Sequence, residues 1–172
     1  MPAKSVVVEG DEIRVARELI TLGARIQILQ VETSLSRARL LGLYRELRDD
    51  PPPKGLLPFS ADWFMRWGHN IHSTLFFNRY KRLLEQSGEQ RLHALIKAYR
   101  SYQAHVESCN LDALLGITRA WVLMRYFEKG MLRLTECQQC HGHFVDLTSN
   151  APIDYVCGIC KPPSRAGKTA SR

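Results

Sequence analysis

Between Glu12 and Val31, apolar residues recur at helical spacing on two sides of the chain at once. Val15, Leu19, Leu22, Ile26 and Leu29 step by four and three, while Ile13, Ala16, Ile20, Ala24, Ile28 and Val31 make a second stripe. The pattern predicts one helix over 12–31. A helix apolar on two faces is either deeply buried or shared between its own core and a partner subunit. Gly23 inside it costs about 1 kcal/mol relative to alanine, and close helix contact would be a reason to keep it.

After a break at Glu32-Thr33-Ser34, Ser36 is a suitable N-cap for a helix over 37–48, whose apolar face is Leu40, Leu43, Tyr44 and Leu47. Asp49-Asp50-Pro51-Pro52-Pro53 ends it, because proline lacks an N–H and biases the preceding residue out of the helix. The segment Pro51–Pro58 is expected to be extended and stiff. Ser60 then opens an aromatic helix carrying Trp63, Phe64, Trp67, Leu75, Phe76, Phe77 and Tyr80, with Gly68 or Asn70 as points of interruption. Gln86-Ser87-Gly88 marks a turn, and two helices follow over 89–106 and 111–129, with Gly130 suited to the C′ position.

Residues 1–130 therefore read as an all-α domain. From Met131 the composition shifts to cysteine, glycine, histidine and proline, marking a small module over 131–161 and a basic, flexible tail over 162–172. The expected fold class is mainly α: a multi-helix domain with a small C-terminal four-cysteine zinc-binding module.

Composition changes this picture little. Apolar residues make up 45% and charged residues 24% of 172, an ordinary globular balance. No apolar run is long enough to cross a bilayer, and Met1–Gly10 lacks a secretory core, so the expected location is the cytoplasm. Charge matters more. The 24 Lys+Arg against 17 Asp+Glu leave +7, which attracts nucleic acid through release of phosphate counterions and equally suits an acidic partner.

Five cysteines in a reducing compartment argue against a disulfide framework. Four of them form Cys137-Gln138-Gln139-Cys140 and, sixteen residues on, Cys157-Gly158-Ile159-Cys160. This C-x₂-C-x₁₆-C-x₂-C spacing is that of a four-cysteine zinc site, because two residues between cysteines let one tight turn aim both sulfurs at one ion. Gly142 and Gly158 are expected to supply positive φ where the backbone turns around the metal. The rival reading, two redox dithiols, belongs near a βαβ pattern that this sequence lacks. Four thiolates close the shell, so the expected Zn²⁺ is structural, one per chain. It would also fold a segment with few large apolar side chains. His141 and His143 flank the second cysteine as surplus donors. His69, His72, His93 and His105 are expected to be surface or internally satisfied residues, and Cys109 a small buried hydrophobe. The sequence contains no phosphate loop, nucleophile elbow or paired acid–base motif, which argues against an enzyme.

Two segments carry candidate DNA contacts. Helix 24–31, a short break and helix 37–48 resemble a helix-turn-helix. Opposite the apolar face of the second helix lie Ala38, Gly42 and Arg45, flanked by Arg37, Arg39 and Arg48. The same surface would equally serve ordinary helix packing. In the tail, Lys161, Arg165 and Lys168 belong to a run without acids that either tracks phosphates or remains solvated.

Several stretches together resemble the FlhC family of flagellar transcriptional activator subunits. They are Glu18-Leu19-Ile20-Thr21-Leu22-Gly23-Ala24-Arg25, Leu35-Ser36-Arg37, Pro51-Pro52-Pro53-Lys54-Gly55, Leu57-Pro58-Phe59-Ser60, Asp62-Trp63-Phe64-Met65, Thr118-Arg119-Ala120-Trp121, and the cysteine pairs running into Pro162-Pro163-Ser164-Arg165. The resemblance implies a mainly α fold, zinc ligands at Cys137, Cys140, Cys157 and Cys160, and a hetero-oligomer of two FlhC with four FlhD chains. It further implies binding and bending of double-stranded promoter DNA upstream of flagellar operons and recruitment of RNA polymerase. It supplies no base-reading residues. One apolar stripe of the first helix would then face FlhD. The alternative reading is a zinc-ribbon adaptor that binds protein without touching DNA.

Overall fold

The computed structural model describes residues 5–150 and 153–166. Its helices are α1 (Val6–Thr21), α2 (Ile26–Glu32), α3 (Arg37–Leu47), α4 (Trp67–Ser87), α5 (Arg91–Ser108) and α6 (Ile117–Glu128). A short 3₁₀ turn, Ala61–Met65, precedes α4, and strands β1 (Leu132–Glu136) and β2 (His143–Leu147) close the order. The fold is mainly α, as the hydrophobic periodicity implies.

The single helix expected over 12–31 is two helices. Gly23 takes φ +82° and terminates α1. The Gly23 N–H donates to Ile20 O and the Ala24 N–H to Leu19 O, the paired bonds of a Schellman cap. A residue that looked like a helix-interior cost is a helix stop. The redirected chain also changes the fate of the second apolar stripe. Ala16, Ile20, Ala24 and Ile28 are fully buried in this chain's own core, and of that stripe Val31 is exposed. The stripe thus belongs to the core, not to a free face for a partner.

Ser36 caps α3 as expected, its side chain accepting from the Arg39 N–H. Leu40 and Tyr44 are buried, and the Tyr44 hydroxyl donates to the carbonyl of Ala24, pinning α3 to the α1–α2 corner. In the aromatic segment the interruption falls at Arg66, whose extended backbone (ψ 139°) separates the 3₁₀ turn from α4, and not at Gly68 or Asn70.

The last helix is shorter than its apolar pattern. Asn110, at φ 52°, completes a second Schellman cap after α5, with its N–H on Glu107 O and that of Leu111 on Val106 O. Residues 111–116 then run without helix, and the Leu115 N–H donates to the Tyr102 hydroxyl (3.1 Å). A tertiary hydrogen bond has replaced a helical one. The same turn leaves Cys109 exposed, which corrects its expected burial: at the end of α5 it faces outward. Gly130 holds the C′ position after α6 at φ +67°, with the paired bonds to Phe127 O and Tyr126 O.

The core gathers Leu19, Ile20, Ile28, Leu29, Leu40, Phe64, Phe76, Leu95, Tyr102, Leu115 and Leu123, all fully buried. Phe77 of α4 stacks on Phe127 at 3.5 Å. A polar lock joins three helices. Glu32, its side chain 4% exposed, pairs with Arg91 of α5 and accepts from the Trp121 indole of α6 at 2.7 Å.

The antiparallel hairpin β1–β2, in register Leu132↔Leu147 to Glu136↔His143, lies on α4. One polar stripe of α4 holds it. Asn70 donates to Val145 O (2.7 Å), Thr74 accepts from the Val145 N–H (3.0 Å), and Asn78 donates to His143 O (3.0 Å). Trp67, on the same stripe, donates its indole N–H to Gly158 O at 2.7 Å. Leu132 and Val145 join the main core, so the hairpin is continuous with the helical body.

Candidate metal centre

Two tight turns aim four sulfurs at one point. The first begins where β1 ends: the Cys137 N–H donates to Gly142 O, and the His141 N–H returns to Cys137 O, both at 2.9 Å. The second repeats the geometry, with the Lys161 N–H on Cys157 O at 2.9 Å. Gln138 N–H to Tyr155 O (2.9 Å) ties the two together. The sulfurs of Cys137, Cys140, Cys157 and Cys160 all lie within 4.8 Å of one another. Among the described residues they form the one such donor group, and neither His141 nor His143 belongs to it.

This arrangement fits a tetrahedral thiophilic ion. Zinc–sulfur bonds of about 2.3 Å require sulfurs about 3.8 Å apart along each tetrahedral edge. The Cys140 and Cys157 sulfurs are 3.8 Å apart, far beyond the roughly 2.05 Å of a disulfide, and all four cysteines are free thiols. Backbone N–H groups point at the sulfurs, Cys157 N–H to Cys137 Sγ (3.3 Å) and Cys160 N–H to Cys157 Sγ (3.4 Å). Such bonds stabilise thiolates.

The electrostatics agree. Burial would raise the Cys137 thiol, but the N–H groups of Cys157, Cys140 and Gln139 bring it down to about 6. The sulfurs of Cys140 and Cys157, with burial behind them, push Cys160 up to about 12. Four thiolates at one point repel one another, so the thiols cannot all ionise unaided; a dication removes that repulsion. Phe144, buried, and Tyr155 and Val156, half-buried, wall the cluster.

The two glycines act differently from expectation. Neither Gly142 nor Gly158 has positive φ; that conformation falls on His141, at φ 57°. What both glycines supply is room. A Cβ on Gly158 would stand 2.8 Å from Trp67 Cδ1, and one on Gly142 would stand 3.0 Å from Phe144 Cε2. His141 is exposed and holds Glu136 at 2.8 Å.

The arginines singled out on α3 are not equivalent. Arg37 donates to Gln30 (3.2 Å), Arg39 pairs with Glu9, and Arg48 reaches Ile20 O at 3.5 Å. Arg45 is exposed and its side chain has no partner among the described residues. Lys161 and Arg165 are exposed beside the second knuckle, whereas Lys168 lies outside the described residues. The helix pair α2–α3 is present, with the turn at residues 33–36. Sequence reasoning missed a further basic group, Arg25, Arg66 and Arg119. These stand at the starts of α2, α4 and α6, with Arg119 over the ring of Trp63, and their signal was arginine where helices usually place acids.

Comparison with known proteins adds the biological context. The family model described as "Flagellar transcriptional activator (FlhC)" matches residues 1–172. A flagellar transcriptional regulator FlhC of Proteus mirabilis is 51% identical over 172 residues, covering 98% of this chain and 88% of the relative. The regulator of the same name from Paraburkholderia atlantica is 51% identical over 169 residues, covering 98% of this chain and 78% of the relative. That of Gallionella capsiferriformans is 50% identical over 173 residues, covering 100% and 95%.

Proposed function

Because this chain belongs to the FlhC family of flagellar transcriptional activators, we propose that it binds promoter DNA of flagellar operons in a hetero-oligomer with FlhD, two chains of this kind with four of FlhD. In this reading the assembly recruits RNA polymerase, and the chain carries one structural zinc on Cys137, Cys140, Cys157 and Cys160. A transcriptional regulator family is not an enzyme class, and the proposed role asks no catalysis of the chain. No helix among the described residues is long and apolar enough to cross a membrane.

The observation that carries the reading is a family match over the whole chain, combined with four sulfurs spaced for one tetrahedral ion. Zinc here has one chemical task, to hold two knuckles as a rigid unit; a shell of four thiolates leaves no position for reacting water. The residues of this chain do the rest. Cys137 and Cys157, both buried, anchor the centre, while Trp67, Asn70, Thr74 and Asn78 clamp the module onto α4. Arg45, exposed on α3, and Lys161 and Arg165 beside the second knuckle are candidate phosphate contacts, with Arg37, Arg39 and Arg48 available only by exchanging internal partners.

Native mass spectrometry of the chain co-expressed with an FlhD candidate, with and without promoter duplex, reads metal, stoichiometry and DNA together. One zinc per chain, a six-chain complex and a DNA-bound species are the expected result. A complex that assembles yet ignores duplex DNA at any salt would favour the protein-only adaptor. Cys137→Ser is expected to lose the metal, and full metal content in that variant would remove Cys137 from the ligand set.

A further inference from the structure

Arg25, Arg66 and Arg119 come from three separate elements, and none forms an ion pair with an acid among the described residues. Arg25 precedes α2 and donates to the Leu56 carbonyl of the proline-rich loop, whose Gly55 carbonyl is held by Gln27 at 3.0 Å. Arg66 is the N-cap of α4, exposed, and its side chain has no partner among the described residues. Arg119, in the first turn of α6, lies with its guanidinium 4.0 Å over the ring of Trp63. Trp63 in turn packs edge-on against His69 of α4 at 4.1 Å, which brings the starts of α4 and α6 together.

The placement is electrostatically unfavourable for the isolated chain. A helix start carries partial positive charge and is stabilised by acids, yet α2, α4 and α6 have no acidic residue in their first turns. The α4 and α6 caps also make no side-chain hydrogen bond, which leaves backbone N–H groups available at both starts. Burial, then the charges of Arg25 and Arg66, hold Arg119 below the usual arginine range; burial, then Arg66 and Arg119, hold His69 below the usual histidine range. By contrast, Arg39 pairs with Glu9, Arg91 with Glu32 and Glu128, and Arg100 with Glu18.

We infer that Arg25, Arg66 and Arg119 form a phosphate-binding site for the backbone of duplex DNA, separate from the α3 face and from the cysteine module. Two of the three guanidiniums are pre-oriented, one by a carbonyl and one by an indole face, so little side-chain freedom is lost on binding. Forked guanidiniums beside unoccupied helix N–H groups match the tetrahedral, multiply accepting oxygens of a phosphate. Contacts of this kind position a protein on DNA without reading sequence. The site rests on the proposal that this chain touches promoter DNA and says where the backbone runs.

The test is a salt titration of duplex affinity for the full chain in complex with its co-expressed partner, using promoter and scrambled duplexes. Each phosphate contact contributes about 0.9 to the slope of log affinity against log salt. The triple variant Arg25→Gln, Arg66→Gln, Arg119→Gln removes three contacts from each of the two chains of this kind in the complex and is expected to lower that slope by about 5.4, equally on both duplexes. Arg82→Gln, exposed near the far end of α4, is expected to leave it unchanged. Arg66→Glu separates binding from folding, because an acid at the start of α4 favours the helix while repelling phosphate: duplex affinity falls and the melting temperature does not. An unchanged slope with loss of the partner chain would assign the cluster to an acidic protein surface and overturn the site. Equal slope losses in Arg82→Gln would make the effect one of net charge and overturn it too. If the unaltered complex shows no salt-dependent duplex affinity, the DNA-binding proposal itself fails, which the variants alone would not produce.

Discussion

Gly158 meets Trp67 so closely that a single methyl group has nowhere to go. A Cβ there would lie 2.8 Å from Cδ1 and 3.2 Å from Nε1 of the indole, whose N–H is already committed to Gly158 O. Gly158→Ala is therefore expected to cost about 1–3 kcal/mol, the range for overpacking, read as a lower denaturation midpoint with a changed Trp67 environment. His72 offers a second test. Its Nδ1 lies 2.7 Å from the Tyr102 hydroxyl, which itself accepts from Leu115 N–H. Burial, followed by the charge of His69, depresses the His72 pKa below 6.5. The unfolded chain then takes up a proton first as pH falls. Stability is fully present above pH 6.5 and declines as pH drops from there toward the depressed folded value. Denaturation curves across that window should show the decline in the parent and less of it in His72→Gln.

Helices α2, α5 and α6 meet at Glu32, an acid in the short break that the apolar pattern left between two predicted helices. Its buried carboxylate takes the Trp121 N–H on one oxygen and Arg91 on the other, while Arg91 also holds Glu128 at 3.1 Å. Because Arg91 is partly exposed and keeps Glu128, removal of Glu32 leaves mainly the indole and part of the guanidinium unpaired. Glu32→Ala is expected to cost about 1.5–3 kcal/mol, with Glu32→Gln retaining most of the Trp121 bond. Chemical denaturation of both variants checks it, and equal losses would mean that charge, not the indole bond, dominates. The same scale explains the misread helix lengths. At Gly23 and Asn110 the left-handed residue and its Schellman bonds end a helix where the apolar spacing runs on. Periodicity reports which side chains face a core; it is blind to a backbone that stops and restarts with the next apolar residue still inside.

At the scale of the whole molecule, the cysteine module and the helical body meet along one stripe of α4. The hairpin depends on Asn70, Thr74 and Asn78 as much as on its own ladder, and the second knuckle depends on Trp67. Metal binding worth about 10–16 kcal/mol in zinc-finger peptides would be transmitted through that seam. Chelation is expected to leave the far-ultraviolet helix signal largely intact while shifting Trp67 fluorescence and opening the β1–β2 amides to exchange. Trp67→Phe should abolish the optical change but not the exchange. Collapse of the helical signal on chelation would show instead that the body cannot stand without the module.

The spacing of four cysteines, the Ser36 cap, the Gly130 stop and the all-helical character of the first 130 residues were settled by local chemistry, and each is visible in the order of residues alone. Local rules work there because the relevant partners lie within one turn or one knuckle of each other. The break at Gly23, the outward turn of Cys109 and the positive φ at His141 instead of its neighbouring glycine lie in backbone turns that side-chain spacing does not report, and the placing of Arg119 over Trp63 was decided by tertiary packing. That last contact joins atoms more than fifty residues apart along the chain, and no spacing encodes which distant carbonyl, ring or charge will be standing there.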